Sequence, residues 1–211
     1  MYVPDHFNET REEVLHEFIR ANPLGLLVTV IDAGPEANHI PFYLTPDQGG
    51  HGSLLGHVSR SNPAWRTANN GSPSLVVFQG PSSYISPSWY PTKDESGKVV
   101  PTWNYVAVHA HGVLKIYDDT EWLKRQVDQM TLKMKSSREA PWSVSDAPSE
   151  YIERMLRGIV GIEIVIERLV GKWKVSQNQA DINAFGAAES LESTEDPAAL
   201  EMAALIRASR S

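Results

Sequence analysis

The chain has 211 residues, 41% of them hydrophobic, with six Trp, seven Tyr and five Phe, enough to bury a sizeable core. Its formal net charge of −7 argues against a surface built to neutralise nucleic-acid phosphates, and its basic residues are scattered, the densest run being Lys133 to Arg138. The absence of cysteine removes disulfides, thiolate metal sites and cysteine nucleophiles and fits a reducing cytoplasmic setting, while no basic-then-apolar opening and no long apolar run mark a signal peptide or a membrane span.

Thr10 followed by Glu13 is a capping-box pattern, and Val14, Leu15, Phe18 and Ile19 make an apolar stripe, which predicts a helix over 10–21 closed by Pro23. Short β-like runs follow. Leu24 to Ile31, Ala37 to Leu44, Ser53 to Val58 and Ser74 to Gln79 are separated by turn residues at Asp32-Ala-Gly-Pro and over Pro46 to Gly52. Val99 to Tyr117 holds one or two further strands, with Val106, Val108 and Ala110 alternating against polar positions. The clearest helix spans 119–135, with Leu123, Val127, Met130 and Met134 on one face, and another follows Pro148 over 149–157. Gly161 to Leu169 alternates as a strand and Lys172 to Ser176 continues it. Asp196-Pro197 opens a last helix, preceded by a polar and mobile stretch at Glu189 to Glu195. The expectation is a mainly β (α+β) chain, a barrel or sandwich over 1–180 with peripheral helices, and a helical extension at 181–211 packed on the same domain.

No dinucleotide-binding glycine fingerprint, Walker lysine loop, nucleophile elbow or helix-turn-helix pattern is present. His109 and His111 share one strand face and have the spacing of two metal ligands. Without a third ligand in view, two polar residues on a half-buried strand is the plainer reading, and no metal site is assigned.

Three polar-aromatic segments are chemically unusual. Gly56-His57-Val58-Ser59-Arg60-Ser61-Asn62-Pro63-Ala64-Trp65 packs a cation, two hydroxyls, an amide and an imidazole into one turn. That inventory suits a phosphate monoester, and equally an exposed strand-to-helix loop. Phe78 to Pro91, leading to Val100-Pro-Thr-Trp-Asn-Tyr105, sets Trp89, Tyr90, Trp103 and Tyr105 on a backbone stiffened by proline. Such residues suit an aromatic ligand, an interface or ordinary core packing. In Gly171-Lys-Trp-Lys-Val-Ser-Gln-Asn178, Lys172 and Lys174 share a strand face, which is also a common edge-strand pattern.

These segments, with the opening Met-Tyr-Val-Pro-Asp-His-Phe and Pro141-Trp142, resemble the PaiB family of FMN-binding negative transcriptional regulators over nearly the whole chain. The resemblance implies a split β-barrel related to pyridoxamine-phosphate oxidase, dimeric, with flavin sites along the subunit interface. It implies that Ser59 and Arg60 lie near the FMN phosphate, within the His57, Ser61, Asn62 and Trp65 segment. It places Trp103, Asn104 and Tyr105 on the strand that closes the site, and brings Lys172, Ser176, Gln177 and Asn178 from the C-terminal strand. Ser59 and Ser61 stand where the family commonly has Ala, and the tail after Ala180 extends past the matched part. The expected protein is a homodimeric FMN-binding negative regulator acting through a protein partner, with direct DNA contact weakly supported. The alternatives are a flavin- or haem-dependent oxidoreductase on the same fold, in which His57, His109 and His111 are proton donors or haem ligands, and a dimeric scaffold without cofactor.

Overall fold

The computed structural model describes residues 1–46, 50–67, 70–134 and 142–210. Parts of the turn expected at 46–52, of the basic run 133–138 and of the helix expected to reach 135, and Pro141, lie outside them. In chain order the elements are β1 (Asn8–Glu9), α1 (Glu12–Ala21), β2 (Leu24–Ile31), β3 (Gly34–Pro41), β4 (Tyr43–Thr45) and β5 (Ser53–Ser59). They continue with α2 (Ala64–Thr67), β6 (Pro73–Ile85), α3 (Thr92–Ser96), β7 (Thr102–Tyr117) and α4 (Thr120–Lys133). The chain then forms α5 (Ser149–Leu156), β8 (Ile159–Lys174), α6 (Asp181–Glu192) and α7 (Pro197–Ala208). Residues 12–78 with 109–169 make one compact unit, and residues 1–11, 79–108 and 170–211 make a second.

In the first unit the strands pair in the order β3-β2-β6-β7-β8-β5-β4. The β2–β3, β2–β6, β4–β5 and β5–β8 pairs are antiparallel, with Leu27 opposite both Asn38 and Val76, and His57 opposite Gly161. Alternation decides the faces: Leu54, Gly56 and Val58 of β5 and Val160, Ile162, Ile164 and Ile166 of β8 are buried, while Leu55, His57 and Glu163 are only half-buried. Phe42 and Phe78 meet edge-on at 6.4 Å above Gly25, where a Cβ would stand 2.6 Å from Val76 Cγ1 and 2.9 Å from the Phe78 ring.

Two details differ from the pattern in the sequence. Glu9, not the Thr10–Glu13 box, meets the amides entering α1: Arg11 N–H donates to Glu9 Oε1 at 2.9 Å, and the helix begins at Glu12. On α4 the buried residues are Leu123 and Gln126, whereas Met134 is 42% exposed just past the helix end. Asp119 caps α4 by accepting from Trp122 N–H at 2.7 Å.

In the second unit β1 pairs antiparallel with β8, Asn8 opposite Lys172. The stretch expected to be mobile at Glu189 to Glu195 is helical as far as Glu192, because α6 and α7 form a hairpin zipped by small buried residues, Ala184, Ala187, Ala188, Ala199 and Ala203, around Met202 and Ile206. Arg207 bridges back to Glu192 at 2.7 and 2.9 Å. Asp196 accepts from Ala198 N–H and Pro197 opens α7, as its spacing predicts.

Gly161 is the tightest test of this architecture in the first unit. A Cβ there would lie 2.2 Å from the ring of Trp122 on α4. Gly161→Ala is therefore expected to destabilise by about 1–3 kcal/mol through overpacking, read as a lower denaturant midpoint at unchanged slope.

Candidate functional site

Within the first unit, β5 delivers His57 and Ser59 to its end, the turn presents Arg60, Ser61 and Asn62, and α2 begins just before Trp65. Asn62 shapes the turn: its Oδ1 accepts from Ala64 N–H at 2.9 Å and its amide donates to Asn38 Oδ1 at 2.9 Å. Trp65 Nε1–H donates to the Arg60 carbonyl at 3.0 Å, and the guanidinium carbons of Arg60 and Arg66 lie 5.9 and 4.8 Å from its ring centroid. Ser59 and Ser61 are exposed, their hydroxyls 2.7 Å apart, so the turn does hold two oxygens and a cation together.

Arg60 is already engaged. Its Nη1 and Nη2 form a fork with the Asp118 carboxylate, Nη2 also donates to the Ile159 carbonyl at 3.1 Å, and Nε donates to the Arg157 carbonyl at 2.8 Å. Four of its five N–H groups are thereby spent. The hydrogen bonds from Arg60 hold Asp118 below the usual carboxylate range, and Asp118 in turn raises Arg60. An incoming phosphate would have to exchange with Asp118 or use the hydroxyls and Arg66, which makes no ion pair among the described residues.

His57 has a partner that sequence spacing did not indicate. Its Nδ1 lies 2.9 Å from Oε1 of Gln126, a nearly fully buried amide on α4. With Oε1 accepting, Nδ1 is the donor in this contact, and Nε2 takes no part in it. On the same sheet face Tyr117 stacks on Trp122, with centroids 4.3 Å apart and planes 5° apart, and donates to Glu163 Oε2 at 2.6 Å.

Within the second unit the remaining candidates form two small groups. Asn104 is fully buried on β7; its Nδ2 donates to Ser176 Oγ at 2.8 Å, and its Oδ1 has no hydrogen-bond donor among the described residues. Ser176 holds a left-handed backbone, φ 68°, that favours glycine. Arg210 ties this turn, donating to the Ser176 and Gln179 carbonyls at 2.5 and 2.9 Å and to Asp181 Oδ1 at 2.7 Å. Tyr105 lies under Lys172, whose Nζ is 5.1 Å from the ring centroid, and Trp103 is 52% exposed, tilted against Tyr84 at 6.1 Å. Gln177 folds back onto its own strand, accepting from Val175 N–H at 2.8 Å and donating to the Trp173 carbonyl at 2.6 Å, and Asn178 is exposed.

His109 and His111 have ring centroids 6.3 Å apart, and His109 Nδ1 and His111 Nε2 are buried without partners among the described residues. Among the described residues no group of three or more His, Cys, Asp or Glu converges as a metal site, and no helix is long and apolar enough to cross a membrane.

Residues 1–168 match the family described as "Putative FMN-binding domain". The chain is 35% identical over 206 residues to the protease synthase and sporulation protein PAI 2 of Bacillus subtilis (strain 168), covering 98% of this chain and 96% of that protein. Among solved structures it resembles a conserved hypothetical protein from Mycobacterium tuberculosis, with TM-score 0.58, 14% identity, and 85% and 94% of the two chains covered. It also resembles the FAD and heme binding protein from Mycobacterium smegmatis, with TM-score 0.51, 17% identity, and 79% and 73% covered. These two likenesses are of fold, and the fold class is the mainly β split barrel of flavin-binding proteins with peripheral helices.

Burial above all pulls His109 down from 6.5 to about 4. Between those two values the unfolded chain binds a proton that the folded chain does not. Stability should therefore fall as the pH drops from about 6.5 to about 4, by up to about 3 kcal/mol, and level off below. Denaturant midpoints across that window check this, and His109→Gln should flatten the dependence.

Proposed function

Since the chain belongs to the PaiB family of FMN-binding proteins, we propose that it is an FMN-holding negative regulator of transcription that works as a cytoplasmic homodimer through a protein partner. The observation that carries this is the extent of the likeness to PAI 2, which covers 98% of the chain rather than a cofactor motif alone. That relative's name supports the regulatory part, and the family match supports the flavin. The net charge of −7 favours a protein partner over direct contact with DNA.

The residues fit a flavin. Asn104 Oδ1 is a buried acceptor without a donor among the described residues, and a flavin ring offers an N–H. The paired hydroxyls of Ser59 and Ser61 beside Arg60 offer donors suited to a phosphate. When bound, FMN supplies one- and two-electron redox chemistry whose potential follows the charges and hydrogen bonds around it. In this reading Ser59, Arg60 and Ser61 grip the phosphate, with Asn62 and Trp65 fixing their turn. In the same unit His57 is held through Nδ1 by Gln126. The second unit, taken by itself, offers flat faces at Trp103 and Tyr105, polar groups at Asn104 and Ser176, and Lys172, Gln177 and Asn178 from the end of β8 onward.

A second reading, a flavin- or haem-dependent oxidoreductase, draws support from the His57–Gln126 hydrogen bond and from the ring nitrogens of His109 and His111 that have no partner among the described residues. Turnover separates the two. A regulator's flavin should be reduced by NAD(P)H only slowly, whereas rapid reduction with multiple cycles selects the enzyme, and a Soret band selects haem.

The spectrum of the purified protein tests the flavin directly, by flavin absorption that is released on denaturation. A protein that is colourless and refuses added FMN overturns the proposal. Arg60→Ala should weaken FMN by about 1.5–3 kcal/mol, the worth of a charge-assisted hydrogen bond. Asp118→Asn should tighten it, because the carboxylate and the phosphate compete for one guanidinium. If both substitutions leave the affinity unchanged, the phosphate does not sit at this turn. A mobility shift of a promoter fragment at physiological salt would replace the protein partner with DNA.

A further inference from the structure

The two lysines of β8 are unlike the chain's other buried groups. Lys172 is only 8% exposed, yet among the described residues its Nζ meets no carboxylate: it donates to the Tyr2 carbonyl at 3.2 Å and sits over the Tyr105 ring. Lys174, half-buried two residues on, donates to Thr102 Oγ1 at 2.5 Å and likewise forms no ion pair among the described residues. Each ammonium has three N–H donors and spends one on a neutral oxygen, which leaves two apiece. Burying a charge without a counter-charge is costly, and two like charges on one strand face compound the cost. Burial, with the neighbouring charge of Lys172, already holds Lys174 below the usual ammonium range even though Tyr105 acts in the opposite sense. The exposed rings of Tyr84 and Trp103 belong to the same unit, and Trp103 shares its strand face with Tyr105.

We propose that Lys172 and Lys174 form an anion seat that takes the phosphate or carboxylate of a planar aromatic ligand whose ring lies against Tyr105 and Trp103. An anion there satisfies the free donors and cancels the repulsion between the two ammonium groups. A flat ring covers aromatic surface that is otherwise left to water. The guest is either a separate aromatic acid or the phosphate of FMN itself, and the second case would replace the Ser59–Ser61 turn as the phosphate's place. Anion binding at this pair does not require the flavin reading to hold.

Calorimetric titration of the full chain with phenyl phosphate and with inorganic phosphate tests the seat. Phenyl phosphate should bind more tightly than phosphate. Lys172→Met and Lys174→Met should each weaken it ten-fold or more, and Lys174→Arg should stay within about three-fold of the parent. Should a Met variant not fold, the unaltered chain gives the same answer, since phenyl phosphate should shield Lys172 and Lys174 from acetic anhydride while surface lysines label as before. Exclusion of phenyl phosphate by FMN but not by riboflavin identifies the guest as the flavin's own phosphate. Equal binding to flavin-loaded and flavin-free protein identifies a separate ligand. A protein that takes up no flavin still gives this titration, so the two readings fail separately. No binding of phenyl phosphate at millimolar concentration, or Met variants within two-fold of the parent, overturns the seat.

Discussion

The first unit turns on one contact, the indole of Trp122 lying on Gly161. It is open only because position 161 has no side chain, a Cβ there falling 2.2 Å from the ring. The contact seats α4 against β8 and β5. It lets the same indole stack on Tyr117 and brings Gln126 to Nδ1 of His57, which stands opposite Gly161 in the sheet. The two residues before α4 divide the remaining work. Asp119 caps the helix, while Asp118 takes the guanidinium of Arg60. The geometry of the 57–65 turn therefore depends on a helix that begins some sixty residues later, and packing around a glycine is transmitted as the orientation of polar groups.

The charged groups divide into two kinds. Arg60 is neutralised by Asp118 and further occupied by backbone carbonyls, so it can structure its turn whether or not a ligand is present. Among the described residues Lys172 and Lys174 hydrogen-bond only to a carbonyl and a hydroxyl, Lys172 also lying over the Tyr105 ring. In a chain with seven more acidic than basic residues, a buried cation pair left without a carboxylate is not explained by a shortage of acids. One cation is built into the fold, and the other two wait for a charge that the described residues do not provide.

The strands were legible because burial alternates along them, as at Val106, Val108 and Ala110, and the helices α1, α4 and α5 because apolar residues recur at helical spacing. Helix α6 was not. Its buried residues are mostly alanines, it carries Gly186 mid-helix against the Trp89 carbonyl and Pro91, and so it shows no strong stripe. In the candidate site, residue types could be picked out because a turn rich in Ser, Arg and Asn or a strand with paired Lys is chemically unusual. Partners could not. Gln126 for His57, Asp118 for Arg60, and Thr102 for Lys174 lie 69, 58 and 72 residues away, and a single long-range hydrogen bond leaves no period in a sequence. Gln126 even occupies a buried helix position that patterning assigns to an apolar residue.

Arg210 has a bearing on how the protein is made. Its guanidinium ties together the carbonyls of Ser176 and Gln179, on a turn whose Ser176 hydroxyl meets Asn104. That turn leaves the ribosome more than thirty residues ahead of the guanidinium that fastens it, with the whole α6–α7 hairpin still to be synthesised. During translation the segment carrying Ser176, Gln177 and Asn178 is present but unfastened, its strained backbone at Ser176 without the bonds that hold it. The turn at Ser176–Gln179 is thus fastened late in synthesis, by a residue that follows the whole α6–α7 hairpin.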